Sequence, residues 1–399
     1  MFLLNSIHSV NKLSTLFVCL CFCISLSAQK DSLEWVVGFQ DEELSPLLLD
    51  TDSDNNIIVA GVYSGCEFCF INYQGDTIFS KGNETHEIFI AKLDSNGALV
   101  QYMTFGSNGD DALVGLEVDI NDHIILYIQN QETFDLNKKA LQQGHNVLKL
   151  NSHFDLIWVT NVKGAVHDEL TGDLVITANY VQFAVNKQNE ILLYGSIGFN
   201  INDLDTLIID GYSVTAKERN IFIAKLNHNG ILKWIRVLEH EGSLNPSSLT
   251  ISDENEIILI GNYFLQDWIT NNDTLSIDTS VNKFQRVGYI LKYDNDGELK
   301  WLKRYHQNLQ PKHLDTDNQG NTIVTGVFNS YAFIGEDSIF TLGAASDQLF
   351  VKFDFDGNLV WSKRMGDQSS NQFARIAFNS NREFFITGAL KNPRRGFTA

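Results

Sequence analysis

Four apolar strands of nearly one pattern end in glycine at regular intervals along this chain, and that periodicity constrains the fold more than any other feature. NIIVAG ends at Gly61, NEILLYG at Gly195, NEIILIG at Gly261 and NTIVTG at Gly326. REFFITG adds a looser copy at Gly388, and DHIILYI places Ile128 in the glycine slot. The positions 61, 128, 195, 261, 326 and 388 are separated by 67, 67, 66, 65 and 62 residues. A fixed period of this length marks one supersecondary unit used repeatedly, each copy burying its apolar face against its neighbours.

A second signature keeps the same frame. IFIAKLDSNGALVQY ends at Tyr102, VLKLNSHFDLIW at Trp158, IFIAKLNHNGILKW at Trp234, YILKYDNDGELKW at Trp301 and LFVKFDFDGNLVW at Trp361, while SLEW at Trp35 begins the series. This reading assigns Trp35, Tyr102, Trp158, Trp234, Trp301 and Trp361 to a structural ladder between adjacent units, where a large ring contributes most to packing. Each copy reads as a β-hairpin, because Asn96-Gly97, Asn229-Gly230, Asp296-Gly297 and Asp356-Gly357 supply the positive φ that tight turns need. A second hairpin, such as LTISD from Leu249 to Asp253 with NEIILIG, completes a four-stranded meander. Looser copies at Asp76-Thr77-Ile78, Asp205-Thr206-Leu207, Asp273-Thr274-Leu275 and Asp337-Ser338-Ile339 read as small outer hairpins or loops between units. Sustained helical spacing is absent.

Four strands repeated about every 65 residues bury both sheet faces only by packing against like units, and radial packing leaves short protected edges. The expected fold is therefore all-β, a β-propeller of about six four-stranded blades over residues 30–390. The last copy lacks an IFIAKL strand: 11 residues follow Gly388, whereas 24 separate Gly326 from Phe350. The expectation is a truncated chain, with residues 391–399 as a tail, or a ring that closes incompletely and leaves an edge open to pairing.

Residues 1–28 read as a secretory signal peptide. Lys12 is the only Lys, Arg, Asp or Glu before Lys30, and the apolar run from Leu16 to Leu26 ends on Ser27 and Ala28. That run is about half of the roughly 20 residues needed to span a bilayer. Its removal takes Cys19, Cys21 and Cys23 and leaves no membrane span. It also leaves 28 Lys and Arg against 49 Asp and Glu, a net charge of −21, compared with −20 for the full chain. Such a surface repels nucleic acid and anionic lipid. Protein or glycan ligands remain as partners, and the expected location is secreted or cell-surface. Cys66 and Cys69 in GCEFCF admit a local disulfide, two free thiols or a redox pair, the last lacking its strand-to-helix setting.

Segments such as IFIAKLDSNGALVQYMTFG and LTISDENEIILIGNYF resemble the SBBP-type β-propeller repeats common in secreted proteins of Bacteroidetes-like bacteria, over essentially Ser32 to Leu390. The resemblance implies an extracellular or cell-surface propeller, often beside adhesion modules and a C-terminal sorting domain; no such domain is recognisable here. The hairpin is also similar to the tryptophan-docking motif of quinoprotein propellers at Ala224, Asn227, Gly230 and Trp234, with two spacings off by one. That is an analogy of fold, because packing converges on such patterns without a shared cofactor.

Catalytic constellations are missing. The sequence has no phosphate-cradling loop, no HExxH, no paired Cys/His spacing and no Gly-x-Ser-x-Gly, and Gly106-Ser107-Asn108-Gly109 reads as turn chemistry. The expectation is no cofactor and no catalytic residue. A weak calcium candidate is the alternation Asp50, Asp52, Asp54 in DTDSDNN, echoed at Asp315 and Asp317. Neither run supplies a glutamate at the twelfth position that an EF-hand requires. Trp268, out of frame, is the best single aromatic for a glycan or peptide contact, against burial under an outer hairpin. These residues support a binding or scaffolding module; the alternative is a quinoprotein-like or carbohydrate-active enzyme with its site at a central channel. Trp234→Ala is expected to destabilise the fold by about 3–5 kcal/mol in denaturant unfolding, and unchanged stability would remove Trp234 from the ladder.

Overall fold

A computed structural model describes residues 45–64, 85–165, 181–197, 204–217, 220–238, 244–264, 286–305, 309–328 and 346–365, together with the shorter strands named below and backbone at 16–17 and 38–40. Trp35 and Cys66 lie outside the described residues, as do the side chains of Cys69 and Trp268. The described residues form strands and turns without a helix, and they divide into two compact units, Met1–Ile157 and Trp158–Ala399.

In the first unit, Ser45–Thr51, Ile57–Ser64, His86–Leu93 and Leu99–Phe105 form one four-stranded antiparallel sheet in chain order. Ala112–Val118, Ile124–Asn130 and Gly144–Leu150 repeat its first three strands. The second unit holds three further sheets of the same order. They begin at Gln182–Val185, Leu244–Ile251 and Leu309–Thr316 and end at Leu232–Leu238, Leu299–Tyr305 and Leu359–Met365. A sixth repeat contributes Gln372–Phe378 and Phe384–Ala389. In this unit the first strand of each sheet lies beside the first strand of the next, from Gln182–Val185 through Leu244–Ile251 and Leu309–Thr316 to Gln372–Phe378.

The second and third strands carry the core because both their faces are covered. Ile191–Ile197 and Asn220–Leu226 are buried almost throughout, whereas Leu232–Leu238 is half-buried. Such strands read as unbroken apolar runs instead of alternating ones. The glycine slot answers to the residue across the ladder. Gly195 faces Phe222, and a Cβ on it would meet that ring at 2.8 Å. In the second repeat Ile128 faces Asn146, so the slot can hold a larger residue.

The outer hairpins form between the second and third strands. Leu204–Ile209 pairs with Tyr212–Lys217, Trp268–Thr270 with Asp273–Leu275, and Tyr331–Ile334 with Asp337–Phe340. Phe68–Ile71 with Thr77–Ser80, and Phe134–Leu136 with Lys139–Leu141, are the copies in the first unit. The Asp-Thr and Asp-Ser signatures at 76, 205, 273 and 337 thus mark the returning arm, except at 205, where the pair lies on the first arm.

The ladder runs through the turns. A Cβ on Gly230 would lie 2.7 Å from the Trp158 ring, one on Gly297 3.1 Å from Trp234, and one on Gly357 3.1 Å from Trp301. Each indole therefore rests on the turn glycine of the following repeat, at a φ of +78°, +79° and +75°. Any other residue there meets both the ring and left-handed backbone strain. Trp158 Nε1 also donates to the His228 carbonyl at 3.0 Å. Trp361 instead meets Phe384, with ring centroids 6.2 Å apart.

Strand register corrects one rung. Gln101, not Tyr102, pairs with Lys92, as Trp234 pairs with Lys225 and Trp301 with Lys292. The Gln101 amide donates to the His153 carbonyl at 2.6 Å, reproducing the indole bond of Trp158 one repeat later. Tyr102 is exposed. Where Gln replaces Trp, the facing turn carries buried Phe154, at φ +65°, in place of glycine. Bulk has moved from one partner to the other.

Each of five repeats also sets a lysine against a buried carboxylate. Lys92 meets Asp52 at 2.6 Å, Lys149 meets Asp119 at 2.6 Å, and Lys225 meets Glu190 at 2.5 Å. Lys292 pairs with Glu256, and Lys352 lies 3.6 Å from Asp317. The lysine is always the one in the IFIAKL strand. The acid alternates between the two ends of the facing turn: Asp52, Asp119 and Asp317 stand where Asn186 and Ser252 stand, and Glu190 and Glu256 where Asn56, His123 and Asn321 stand. Asn186 still caps its turn through the Gln188 and Glu190 amides, as Asp119 does through the Asn121 and His123 amides.

Asp119→Asn should therefore keep the cap but strand Lys149, at a cost of about 3 kcal/mol in denaturant unfolding. Adding His123→Glu rebuilds the third-repeat arrangement and should recover most of that loss. An additive or worse double variant would show that the two turn positions are not equivalent.

Candidate functional site

The residues singled out for calcium do not converge. Asp52 is consumed by Lys92, by the Asp54 and Asn56 amides and by the Asn56 side chain. Asp50 turns to the neighbouring repeat and accepts the Val118 amide at 2.7 Å. Asp54 is exposed. In the echo, Asp317 binds the Gln319 and Asn321 amides, while Asp315 accepts the Phe378 amide at 2.8 Å, the counterpart of the Asp50 bond. Among the described residues no group of three or more His, Cys, Asp or Glu side chains is arranged to hold a metal ion.

Electrostatics separate these carboxylates into two kinds. Burial raises the Asp50 and Asp315 carboxyls, and amide hydrogen bonds offset this only in part, so both sit above the ordinary value. For Glu190, burial is outweighed by hydrogen bonds from Lys225, Lys233 and Asn186, which hold the carboxyl down at about 2. Asp52 and Asp119 are lowered by their lysines and turn groups against burial, and Asp317 chiefly by its turn amides.

A further buried polar group outside the lysine pairs lies at the opposite end of the first sheet, around the Gly106–Asp111 loop. Tyr63 donates to Glu87 at 2.7 Å, and Ser107 Oγ donates to Asp111 at 2.7 Å. The Ser107 amide also donates to Asp111, and the Gln131 amide does so at 3.2 Å. A Cβ on Gly106 would fall 2.6 Å from Asp111 Oδ2 and 3.1 Å from Glu87 Cγ, so the glycine lets two carboxylates share one corner. Burial raises Asp111 despite its three donors, and Glu87 raises it further. Beside it, the His86 imidazole lies 2.7 Å from Asp110, and the Asp111 amide binds the His86 carbonyl. The arrangement ties the last strand of one repeat to the first two of the next. Its carboxylates face protein donors.

The sequence pointed to Gly106–Gly109 as turn chemistry, but Glu87 and the buried lysines carried no motif that named them. The lysines' signal was positional: an ionisable residue inside an apolar run, recurring in frame.

Five repeats that share one strand frame, with first strands set side by side within each unit, define a β-propeller-like repeat protein. The chain is 24% identical over 378 residues, 87% of its length, to an uncharacterized WD repeat-containing protein of Acanthamoeba polyphaga mimivirus, and spans 24% of that protein. No protein-family model matches. Among solved structures, a protein of unknown function from Bacteroides caccae matches at 10% identity, TM-score 0.33, covering 80% of this chain and 93% of that one. An ulvan lyase matches at 8% identity, TM-score 0.44, covering 85% and 80%. The NanB sialidase of Streptococcus pneumoniae matches at 12%, TM-score 0.31, covering 88% and 65%. Scores this low carry no functional argument. No helix among the described residues is long and apolar enough to cross a membrane.

The two kinds of carboxylate fix the sign of the acid response. Asp50, Asp111 and Asp315 oppose folding while ionised, so lowering pH from 7 to about 5 should leave stability level or slightly higher. Glu190, Asp52, Asp119 and Asp317 contribute above their unfolded values near 4 and lose that contribution as pH falls toward about 2. Urea midpoints across this range should be flat and then fall steeply, and Glu190→Gln should shrink the fall.

Proposed function

We propose that the protein is an exported module, secreted or held at the cell surface, that binds or scaffolds through a single propeller of about six blades with SBBP-type repeats. One observation carries the reading: the in-frame lysines of five repeats are each set against a buried carboxylate, in an arrangement that serves packing. The signal-peptide pattern of residues 1–28, the acidic surface and the WD-repeat relative support it. The Trp158, Trp234, Trp301 and Trp361 ladder, with Gln101 at its first described rung, is a scaffold, and specificity belongs to loops and edges that differ between repeats.

The test has two readings. Expressed with its own leader in a bacterium with a periplasm, the chain should appear outside the inner membrane with residues 1–28 removed, as intact mass will show. On a panel of acidic and neutral polysaccharides and extracellular proteins it should be retained without altering the ligand. Retention of the leader in the inner membrane overturns the export, and release of reducing or unsaturated ends overturns the binding role.

A further inference from the structure

Asparagine followed by glycine is a self-reactive pair, because a backbone nitrogen unhindered by a neighbouring Cβ can close on the asparagine side chain as a five-membered ring. Three such steps occur in this chain: Asn96-Gly97, Asn108-Gly109 and Asn229-Gly230. All three asparagines are exposed, so exposure does not rank them. The glycine amides do.

Gly97 and Gly230 are buried turn residues of the repeat frame, at a φ of +77° and +78°. Their amides close the turns on the Asp94 and Asn227 carbonyls, both at 2.9 Å, and Gly230 also lies under the Trp158 ring. Attack by either nitrogen must first break its turn. Gly109 belongs instead to the Gly106–Asp111 loop. Among the described residues its amide donates to Ser107 Oγ alone, at 3.2 Å, the long end of the hydrogen-bond range. Packing accounts for the glycine at this place: a Cβ on Gly109 would fall 2.6 Å from Gln131 Cβ.

Ser107 Oγ also leads onward. It accepts from the Gly109 nitrogen and donates to Asp111 Oδ1 at 2.7 Å, so the nitrogen, the hydroxyl and a buried carboxylate form one continuous line. Burial raises the Asp111 carboxyl, and Glu87 raises it further, which makes its carboxylate a stronger proton acceptor than an ordinary aspartate. Neither of the other two steps has such a line behind it, because each of those amides ends on a backbone carbonyl.

We propose that Asn108-Gly109 is a self-modification site, at which the Gly109 nitrogen attacks Asn108 Cγ and passes its proton through Ser107 Oγ toward Asp111. The bond from the Gly109 nitrogen to Cγ forms and the bond from Cγ to the side-chain nitrogen breaks. Ammonia leaves, taking the proton back from the same line, and a succinimide ring remains. Water, the only co-reactant, opens that ring at either carbonyl to give an aspartyl or isoaspartyl linkage. Each event adds one negative charge beside Asp110 and Asp111, in the loop that ties the last strand of the first repeat to the first two of the second.

The test holds the full chain in warm, mildly alkaline buffer and follows amide-to-acid conversion at the three asparagines by peptide mass mapping. Asn108 should convert at least about tenfold faster than Asn96 or Asn229, each of which must lose a turn hydrogen bond before attack. Ser107→Ala and Asp111→Asn should each slow Asn108 severalfold and leave the other two unchanged. A merely structural role for these side chains predicts the opposite sign, because a loosened loop frees the Gly109 amide. No conversion at Asn108, or conversion no faster than at the other two, overturns the site. An unchanged or faster rate at Asn108 in either variant overturns the proton line.

Discussion

A buried ammonium with three bonds to make is the constraint on which the rest of this structure depends. Lys225 binds Glu190 within its own sheet and both the carbonyl and side chain of Asn295 in the next, so its donors are satisfied only when two repeats are docked. Lys292 repeats the device with Glu256, the Phe355 carbonyl and the Phe355 ring. A charged pair in a dry interior gains little over a well-packed apolar one, because desolvation consumes most of the Coulombic attraction. What it supplies is register. An apolar strand tolerates a shift along its neighbour, but a shift that strands an ammonium costs several kcal/mol. In a fold of near-identical sheets, where wrong pairings resemble right ones, that penalty distinguishes them.

The ladder acts on the same joint from the outer strand. Indoles of three repeats rest on glycines of the next, and the sequence displays both residues in frame, so this contact was legible before any coordinates. The rung at Gln101 was not, because an extra large residue stands one position later in GALVQY and the eye matches Tyr102 to tryptophan. Counting from Gly97 instead of matching ring to ring gives the correct residue. The exchange of Gly for Phe154 opposite Gln101 is the physical reason: a rung is a shared volume, and either partner can fill it.

The same distinction explains what else was and was not visible. Strand pattern, period and turn glycines are local consequences of backbone geometry, so residues within a few positions reveal them. The lysine–carboxylate pairs join residues 30 to 40 positions apart, and the acid moves four places between repeats, so no fixed-spacing motif finds them. The alternating aspartates of DTDSDNN looked like a metal loop for an instructive reason. Both a cation site and a turn that must hold a lysine and its own amides gather carboxylate oxygens, and short sequence cannot say which cation they meet.

That ambiguity bears on how this architecture acquires function. Side chains that satisfy the joints between repeats are constrained in every copy, since each must answer to two sheets. The groups free to diverge are those with one neighbour or none: outer hairpins, loop tips and the strand edge of the sixth repeat. Among the described residues, Phe384–Ala389 repeats the apolar pattern of the second strands and pairs with Gln372–Phe378.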